Sequence, residues 1–515
     1  GLTNEQMAAN PVWVDKTGNG HDLQLKNFAW KGMSGVGGYV ADIDEWGTNS
    51  TAAYFERNSI KITATFKENV SLGLLYHNIK LRQSCVLKVT GIPEGCDAFL
   101  DDRLGNRFYM SEDGVYEIIP SNFLAEALYF SIEKYPERWY GSKLTIEQLP
   151  LYPGVLVFDG VDDYGVCENF PILTKEKGYT VVALRKWLTP ENKTDNEVLV
   201  ANLKKPKLEA EAWGAFGCEI KYNNTNPKIA RTLSFGSMPV INVNENNVLL
   251  CQTSNNYNGV DITSGNDTGG PYLLICSGGR ILFANAAIWE LIILDHDATE
   301  EELTKIKDYF VKTYPWLFPD QAWTVVGKTN EDEDRATIAN ITGNGNDLIL
   351  SNFGFIEGSG YNEEGEYAGY LVTDGVDDKA VSKQFKFGKN FTVILDFKFP
   401  VKKISYCGFD LSSKVRIQNL QGSGVYVVLK GNKTLIPSNV VRAVTSEGKV
   451  YDENWNEYNI VPGNISSNYT MVNLGFDGSN QFAESATKLA GIYSSTLSKD
   501  DCIKAYNYLQ TLKAK

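Results

Sequence analysis

The chain has 515 residues, of which 43% are hydrophobic and 12% aromatic, and its formal net charge at pH 7 is −14. A chain of this length exceeds what one hydrophobic core usually serves, so it predicts about three domains, and the many Gly, Tyr and Phe residues favour strands joined by tight turns. The acidic balance, without a basic stripe, excludes nucleic-acid binding. No apolar run approaches the roughly 20 residues that cross a bilayer, so we expect no membrane insertion.

A motif near the start of the chain recurs in its second half. Residues Thr17–Phe28 return as Thr342–Phe353 with nine of twelve positions identical, so the chain contains one module twice. Asn-Gly followed by Leu-x-Leu predicts a tight turn that leads into a strand. The second copy is preceded by a strand-like segment at 323–326 that has no counterpart before the first, so we expect the chain to begin partway into a repeat.

A second shared motif indicates an insertion in the first copy. Asp159-Gly160-Val161-Asp162-Asp163 returns as Asp374-Gly375-Val376-Asp377-Asp378 at a spacing of 215 residues, against 325 for the first motif. The first copy therefore carries 110 residues that the second lacks, which is the size of a domain. This segment contains strand-like runs at 60–66, 86–90, 115–119 and 144–149. We predict a first domain formed by 1–41 plus 153–318, an inserted β domain at 42–152, and a second copy at 319–515.

The Asp-Gly-Val-Asp-Asp motif allows two interpretations. Its carboxylates could present oxygens to Ca²⁺ in each copy. Asp and Gly at this spacing are also typical of a turn between strands, in which Asp side chains accept hydrogen bonds from nearby backbone N–H groups. We favour the turn, because Ca²⁺ needs more oxygens than one pentapeptide offers, and we expect no cofactor, with Ca²⁺ as the one candidate. The candidate metal ligands are Asp159, Asp162, Asp163, Asp374, Asp377 and Asp378.

Each copy is predicted to close with a short helix. Thr299 and Ser498 are hydroxyl N-caps, and each is followed by an acid at the third helical position, which provides partners for backbone N–H groups at the helix start. Apolar residues then recur at helical spacing. Pro315 and Pro319 should end the first helix and mark the boundary between the copies.

The eight cysteines contain no Cys-x-x-Cys pair, so the sequence does not support a zinc site. We predict buried free thiols. Cys85 and Cys96 are the only pair that merits a test for a disulfide. This cysteine usage favours folding in a reducing cytoplasm.

Several of these segments resemble a known family. Leu156–Tyr164 and Tyr179–Leu184 in the first copy, and Leu371–Asp378 and Phe391–Asp396 in the second, resemble the concanavalin A-like lectin/glucanase (laminin-G-like) family. This resemblance implies an all-β fold with two tandem jelly-roll β-sandwiches, the first interrupted by a smaller inserted β-sandwich. The tandem order, the end of the insert at 151–154 and the lead-in at 327–332 resemble virion proteins of gut bacteriophages that infect Bacteroidales.

Catalysis is not expected from the residues. Glucanases of this fold carry Glu-x-Asp-x-x-Glu on one strand, so that two carboxylates share a sheet face. The nearest string, Asp42-Ile43-Asp44-Glu45, has the wrong order, and the second copy has no equivalent. With three histidines in the chain and no Gly-x-Ser-x-Gly elbow, a catalytic triad is unsupported. We therefore predict that the chain is not an enzyme and has no catalytic residues.

Four aromatic residues lie among polar, Gly- and Asn-rich neighbours and are the predicted exposed, ligand-binding candidates: Trp46, Trp213, Tyr222 and Tyr257. The alternative is that they pack in cores.

The leading hypothesis is a structural and adhesion component of a bacteriophage particle, either a tail or head fibre or a surface-decorating protein. It would be assembled in the host cytoplasm and located in the virion. Its partners would be other virion proteins, further copies of itself (a trimer is favoured) and host surface polysaccharide. One alternative is a glycan-binding protein on a bacterial cell surface, and another is a glycoside hydrolase.

Overall fold

The structure is a computed structural model that describes residues 2–40, 43–48, 51–68, 73–81, 85–118, 123–125, 127–188, 196–205, 216–221, 248–257, 260–261, 269–279, 282–399, 407–412, 414–419, 425–429, 431–463, 469–476 and 482–514. The chain forms two compact units, Gly1–Lys305 and Ile306–Lys515.

The first unit opens with a short helix and three strands. The helix α1 is Asn4–Ala9, capped by the Thr3 hydroxyl, which accepts a hydrogen bond from the Gln6 backbone N–H. The strands are β1 (Val12–Trp13), β2 (Leu23–Lys26) and β3 (Gly35–Val36). Between β1 and β2, Gly18 and Gly20 both have φ of +78°, so the Thr-Gly-Asn-Gly segment forms the predicted turn.

The chain then forms ten strands and a one-turn helix. Among the described residues these strands pair only with one another, in two five-stranded sheets with the orders β10-β9-β12-β7-β4 and β11-β8-β13-β6-β5. Their buried faces share one core cluster. The elements are β4 (Gly47–Thr48), β5 (Ala53–Arg57), β6 (Lys61–Phe66), β7 (Gly73–Lys80), β8 (Cys85–Thr90), β9 (Asp97–Asp101), β10 (Arg107–Met110), β11 (Gly114–Ile118), β12 (Ala127–Glu133), α2 (Pro136–Trp139) and β13 (Lys143–Leu149).

The chain returns from these ten strands to complete the first sandwich. The strands before and after them combine into a sheet of order β1-β2-β15-β22-β17-β18 and a facing sheet of order β21-β20-β19-β16-β23-β14-β3, with a core drawn from both sheets. The later elements are β14 (Leu156–Asp159), β15 (Tyr164–Glu168), β16 (Thr180–Trp187), β17 (Glu197–Leu203), β18 (Phe216–Lys221), β19 (Leu249–Thr253), β20 (Asn256–Tyr257), β21 (Val260–Asp261), β22 (Tyr272–Ile275), β23 (Asn285–Leu294) and α3 (Glu300–Thr313).

The second unit has two main sheets over its own core. Their orders are β27-β28-β41-β31-β36-β37-β38, with β24 also paired to β41, and β25-β26-β29-β40-β32-β33-β34-β35. The elements are β24 (Gln321–Thr324), β25 (Thr337–Ile338), β26 (Leu348–Ser351), β27 (Gly360–Asn362), β28 (Tyr370–Asp374), β29 (Lys379–Ser382), β30 (Phe385–Lys386), β31 (Thr392–Lys398), β32 (Cys407–Leu411), β33 (Val415–Asn419), β34 (Val425–Leu429), β35 (Asn432–Ile436), β36 (Val440–Thr445), β37 (Lys449–Tyr451), β38 (Glu457–Asn459), β39 (Tyr469–Thr470), β40 (Val472–Leu474), β41 (Glu484–Tyr493) and α4 (Lys499–Gln510).

The two sandwiches share one topology. The path β1-β2-β15-β22-β17-β18 corresponds strand by strand to β25-β26-β29-β40-β32-β33, and β19-β16-β23-β14-β3 corresponds to β36-β31-β41-β28-β27. The ten additional strands of the first unit lie between β3 and β14, where the second unit has only the short helix Gly365–Tyr367 between β27 and β28. All named strand pairs in the described part of the chain are antiparallel, and the predicted all-β sandwich class is confirmed. The residue numbers of the domain boundaries stay a prediction.

The closing helices form as predicted. Thr299 accepts a hydrogen bond from the Glu302 backbone N–H, and the Glu302 carboxylate accepts one in return from the Thr299 N–H, which is a capping box. Ser498 caps α4 by accepting from the Asp501 N–H. No helix among the described residues is long and apolar enough to cross a membrane.

All eight cysteines are free. Seven are buried and Cys251 is partly exposed, so the predicted free thiols are confirmed and the pair Cys85 and Cys96 forms no disulfide. Burial raises the pKa of the Cys85 thiol to about 12, which keeps it protonated and unreactive.

Candidate functional site

One sheet of the inserted strands has an outer face rich in aromatic and charged side chains. In β9, Ala98 and Leu100 point into the core, so the alternating residues lie on the opposite face. The same alternation in β10 and β12 places further residues beside them. We call this surface the insert outer face; it consists of Asp97, Phe99, Asp101, Arg107, Tyr109, Tyr129, Ser131 and Glu133.

Strand register brings these residues together in rows. Arg107 lies directly opposite Asp101, which lies opposite Tyr129 on the other side. The Arg107 guanidinium approaches two carboxylates, with Nε 3.8 Å from Asp101 Oδ2 and Nη1 3.9 Å from Glu133 Oε2. These pairings place the half-exposed Arg107 between the buried Asp101 and the partly exposed Glu133.

An aromatic row runs beside the ion pairs. Tyr109 lies opposite Phe99, with ring centroids 5.3 Å apart, and the Tyr109 side chain is 44% exposed. The Arg107 guanidinium lies 4.8 Å above the Phe99 ring, and the Arg103 guanidinium 4.0 Å above the Tyr129 ring. Arg107 Nη1 also donates a hydrogen bond to the Tyr109 hydroxyl, at 3.2 Å. Cation–π contacts of this kind attract the two guanidinium groups to the aromatic rings.

The charges on this face balance. Lys134, next to β12, forms an ion pair with Asp97. Burial opposes ionisation of Asp97, but hydrogen bonds from Lys134 and Ser111 outweigh it and lower the Asp97 pKa. There are three cations at this face, Arg103, Arg107 and Lys134. They equal in number the three acids of the insert outer face. Asp101 Oδ1 is buried and has no hydrogen-bond partner.

The Asp-Gly-Val-Asp-Asp motif forms the turn between β14 and β15. Asp159 Oδ1 accepts hydrogen bonds from the N–H groups of Val161 and Asp162, at 2.8 and 3.4 Å, and Gly160 has φ of +72°. Asp163 Oδ2 accepts a hydrogen bond from the Asp159 N–H. The turn interpretation is therefore confirmed for the first copy.

The turn between β28 and β29 repeats this geometry. Asp374 Oδ1 accepts from the N–H groups of Val376 and Asp377 at the same two distances, 2.8 and 3.4 Å, and Asp378 Oδ2 accepts from the Asp374 N–H. Gly375 has φ of +75°. In each copy the three carboxylates also gather, with one oxygen from each residue within 4.8 Å of the others. The predicted metal-ligand sets are thus brought together, and metal binding by them stays a prediction.

The third Asp of each turn is completely buried. Burial, with repulsion from Asp159, raises the pKa of Asp163 to about 7. Burial likewise raises the pKa of Asp378 to about 6. The Ser34 hydroxyl donates to Asp163 Oδ1 at 3.1 Å, so the carboxylate of the first copy has a neutral partner.

Two of the four predicted aromatic ligand residues, Trp46 and Tyr257, are buried. Trp46 is 1% exposed and packs against Tyr76 in the core of the inserted strands, and Tyr257 is 3% exposed in the core of the first sandwich. Their expected exposure is wrong, because strand pairing turns both rings inward. Trp213 and Tyr222 lie outside the described residues, so their ligand binding stays a prediction.

The aromatic residues of the insert outer face were missed by sequence reasoning. The alternation Arg107-Phe108-Tyr109-Met110 was an available signal, since it places one charged and one amphipathic residue on the same face. The neighbouring strands come from 97–101 and 127–133, and their adjacency depends on non-local pairing that no local pattern reveals.

Comparisons with known proteins give structural likenesses only. No family model and no curated protein matches the chain. Trypanosoma rangeli sialidase in complex with sialic acid is 10% identical with a TM-score of 0.27, over 90% of this chain and 84% of that one. A second structure of Trypanosoma rangeli sialidase is 8% identical with a TM-score of 0.29, over 90% of this chain and 85% of that one. The binding domain of botulinum neurotoxin serotype D is 10% identical with a TM-score of 0.27, over 68% and 89%.

Likenesses at this identity concern the fold alone. The prediction that the chain is not an enzyme is nevertheless contradicted, because the solved structures matched first are sialidases, which are enzymes.

Proposed function

We propose that this chain is an adhesion protein that binds a neutral surface polysaccharide through the insert outer face. The single observation that carries the proposal is the exposed Tyr109 ring beside the Arg107, Asp101 and Glu133 ion pairs, on a sheet face that the core does not use.

The chemistry of this face fits a sugar. A tyrosine offers an apolar ring and a polar tip at low conformational cost, which suits the C–H face and the hydroxyls of a pyranose. The Glu133 carboxylate accepts hydrogen bonds from sugar hydroxyls, while the Arg107 guanidinium donates to sugar oxygens. The face is balanced in charge and most of its charges already have partners, so it favours a neutral polymer over an anionic one.

Polysaccharide arrays test this function. The full chain is applied to neutral and acidic bacterial surface polysaccharides, together with the variants Tyr109→Ala and Tyr54→Ala. Tyr54 is the matched control, since it is 67% exposed on the other sheet of the inserted strands and also has a cation, Lys67, over its ring. We expect binding to neutral polysaccharides and a loss of about tenfold or more for Tyr109→Ala only, as for an aromatic hot spot. Equal signals from the two variants, or no binding by the native chain, would refute the proposal.

We further propose that the chain serves in a bacteriophage particle, as a tail or head fibre or a surface-decorating protein. The supporting observations are the resemblance to virion proteins and the repeated sandwich module, which suits a structural protein. We expect a homo-oligomer, with a trimer favoured. Mass spectrometry of purified particles tests this part separately: absence of the chain from particles and its presence on bacterial envelopes would favour the cell-surface alternative, while leaving glycan binding intact.

A further inference from the structure

The second sandwich has a strand, β24, with no counterpart among the described strands of the first sandwich. In the second unit, β24 pairs with β41 beyond the end of β28, with Trp323 opposite Ala490. In the first unit the equivalent of β41 is β23, which pairs with β14 only up to Ile288. Beyond that point, residues 290–294 of β23 pair with β16 alone in the described part of the chain. One side of β23 is therefore an open strand edge.

The open edge of β23 is apolar. The pairings of β23 with β16 and of β41 with β31 make Leu291 equivalent to Ala490, and Ile293 equivalent to Ile492. Ala490 and Ile492 are 1% and 0% exposed, whereas Leu291 and Ile293 are only partly buried against the core of the first sandwich. Residues 291–294 contain neither a charge nor a proline, which are the devices that usually protect a strand edge from pairing with another chain.

The segment on the other side of β24 also has its equivalent in the first unit. In the second unit the Ile341 N–H donates a hydrogen bond to the Ala322 carbonyl at 2.9 Å, and Ile341 is buried. Lys16 holds the equivalent position, directly before the repeated Thr-Gly-Asn-Gly motif, and its side chain is 80% exposed. Lys16 Nζ lies 3.1 Å from Glu290 Oε1. A single ion pair with so exposed a lysine contributes little and can give way to a strand.

The residues that follow β24 correspond to the start of the first unit. The Asn4 side chain accepts a hydrogen bond from the Val36 N–H at 2.7 Å and donates one to the Val36 carbonyl at 3.3 Å. Asn330 makes the same two bonds with Tyr361, at 2.8 and 2.7 Å. The two units thus share the surroundings of β24, so the open edge of the first unit suits the same kind of strand.

We propose that residues 290–294 of β23 are a docking site for an extended segment of a partner protein, which adds to the sheet as an antiparallel β-strand. The chemistry of this segment follows from β24, whose sequence is Gln-Ala-Trp-Thr. Trp323 is 2% exposed and belongs to the core of the second sandwich. The partner strand therefore carries a large apolar side chain at this position, between small and polar residues. Main-chain hydrogen bonds supply the affinity and the apolar side chain supplies the specificity, independently of glycan binding.

A peptide with the sequence of residues 320–326 tests this docking site on the full chain. We expect one peptide to bind per chain in a calorimetric titration and to raise the melting temperature. The same peptide with Trp323→Asp should bind at least about tenfold more weakly. The matched control is a chain extended by residues 320–326 directly ahead of Gly1, which keeps the spacing of Val326 to Gly327. Its own added strand should fill the edge, so this extended chain should not bind the peptide.

Three outcomes count against the docking site. Absence of saturable binding up to about 1 mM peptide would overturn the proposal. Undiminished binding by the extended chain would overturn it as well, since the peptide would then bind elsewhere. If the native chain is a dimer that the peptide dissociates, a second copy is the donor of the strand, and the assignment to a separate partner protein is wrong.

Discussion

Replacing Asp396 with Asn should destabilise the second unit strongly. Asp396 lies in β31, is 2% exposed, and accepts hydrogen bonds from the Tyr370 hydroxyl (2.9 Å), the Tyr506 hydroxyl (3.2 Å) and Gln510 Nε2 (2.8 Å), besides its ion pair with Arg442. Tyr506 and Gln510 belong to α4. The carboxylate therefore links α4 to the sheet that the helix covers.

The size of the effect follows from the buried charge. Removing one partner of a buried ion pair leaves the other charge uncompensated and costs about 3–5 kcal/mol. In a unit of about 200 residues each kcal/mol lowers the melting temperature by roughly 2–4 °C, so a fall of about 10 °C is expected for one transition. The control Glu301→Gln breaks an exposed i,i+4 pair with Lys305 on α3 and should change stability by less than about 0.5 kcal/mol.

The pH dependence gives an independent check. Burial opposes ionisation of Asp396, but the charges of Arg442 and Lys488 and hydrogen bonds from Gln510 and Tyr370 outweigh it and lower the Asp396 pKa from 3.8 to about 2. A lowered pKa contributes stability that is fully present above about pH 4 and is lost as the pH falls through the lowered pKa.

Urea unfolding of the full chain between pH 7 and pH 2 measures both effects. The difference in unfolding free energy between the native chain and Asp396→Asn should be constant down to about pH 4 and then shrink. A difference below about 1 kcal/mol at pH 7, or one that does not shrink in acid, would refute this reasoning.

Three further predictions concern stability, and calorimetry of the full chain measures each. Thr392→Val should cost about 1–2 kcal/mol, because the buried hydroxyl donates to the Ser495 carbonyl and accepts from the Leu497 N–H; a smaller cost would mean that these bonds contribute little. Gly91→Ala should cost at least about 2 kcal/mol, since φ is +91° and the added Cβ would lie 1.8 Å from the Lys143 carbonyl oxygen; a neutral result would contradict this close approach. Because the cysteines are free, dithiothreitol should leave the melting temperatures unchanged, and a decrease would reveal a disulfide.

The parts of the fold that could be predicted rest on short-range signals. The strand-like runs at 60–66, 86–90, 115–119 and 144–149 match β6, β8, β11 and β13 within one residue at every end, because the alternation of apolar and polar residues and the content of β-branched residues are local properties of the sequence. The N-caps at Thr299 and Ser498 could also be predicted from local sequence, since a cap depends on residues only three positions apart. The different spacings of the two shared motifs predicted where the extra strands lie. The added residues of the first copy must fall between its two motifs.

The candidate site could not be predicted, because it depends on which strands become neighbours. Polar sequence surroundings suggested exposure for Trp46 and Tyr257, yet both rings pack in cores. Tyr109 and Phe99 become neighbours only when β10 pairs with β9, and Glu133 joins them only through β12. The gathering of three carboxylates at each Asp-Gly-Val-Asp-Asp turn was expected from the sequence as an alternative to a plain turn, and the structure contains both features in the same residues.

The most direct test of glycan binding through the inserted strands is a calorimetric titration with the polysaccharide that binds best on the array. The native chain, Tyr109→Ala and Tyr54→Ala are compared at equal folded fractions. We expect Tyr109→Ala to weaken binding by about tenfold or more, and Tyr54→Ala to bind as the native chain does. Equal affinities for all three proteins would contradict the assignment of the insert outer face as the binding surface.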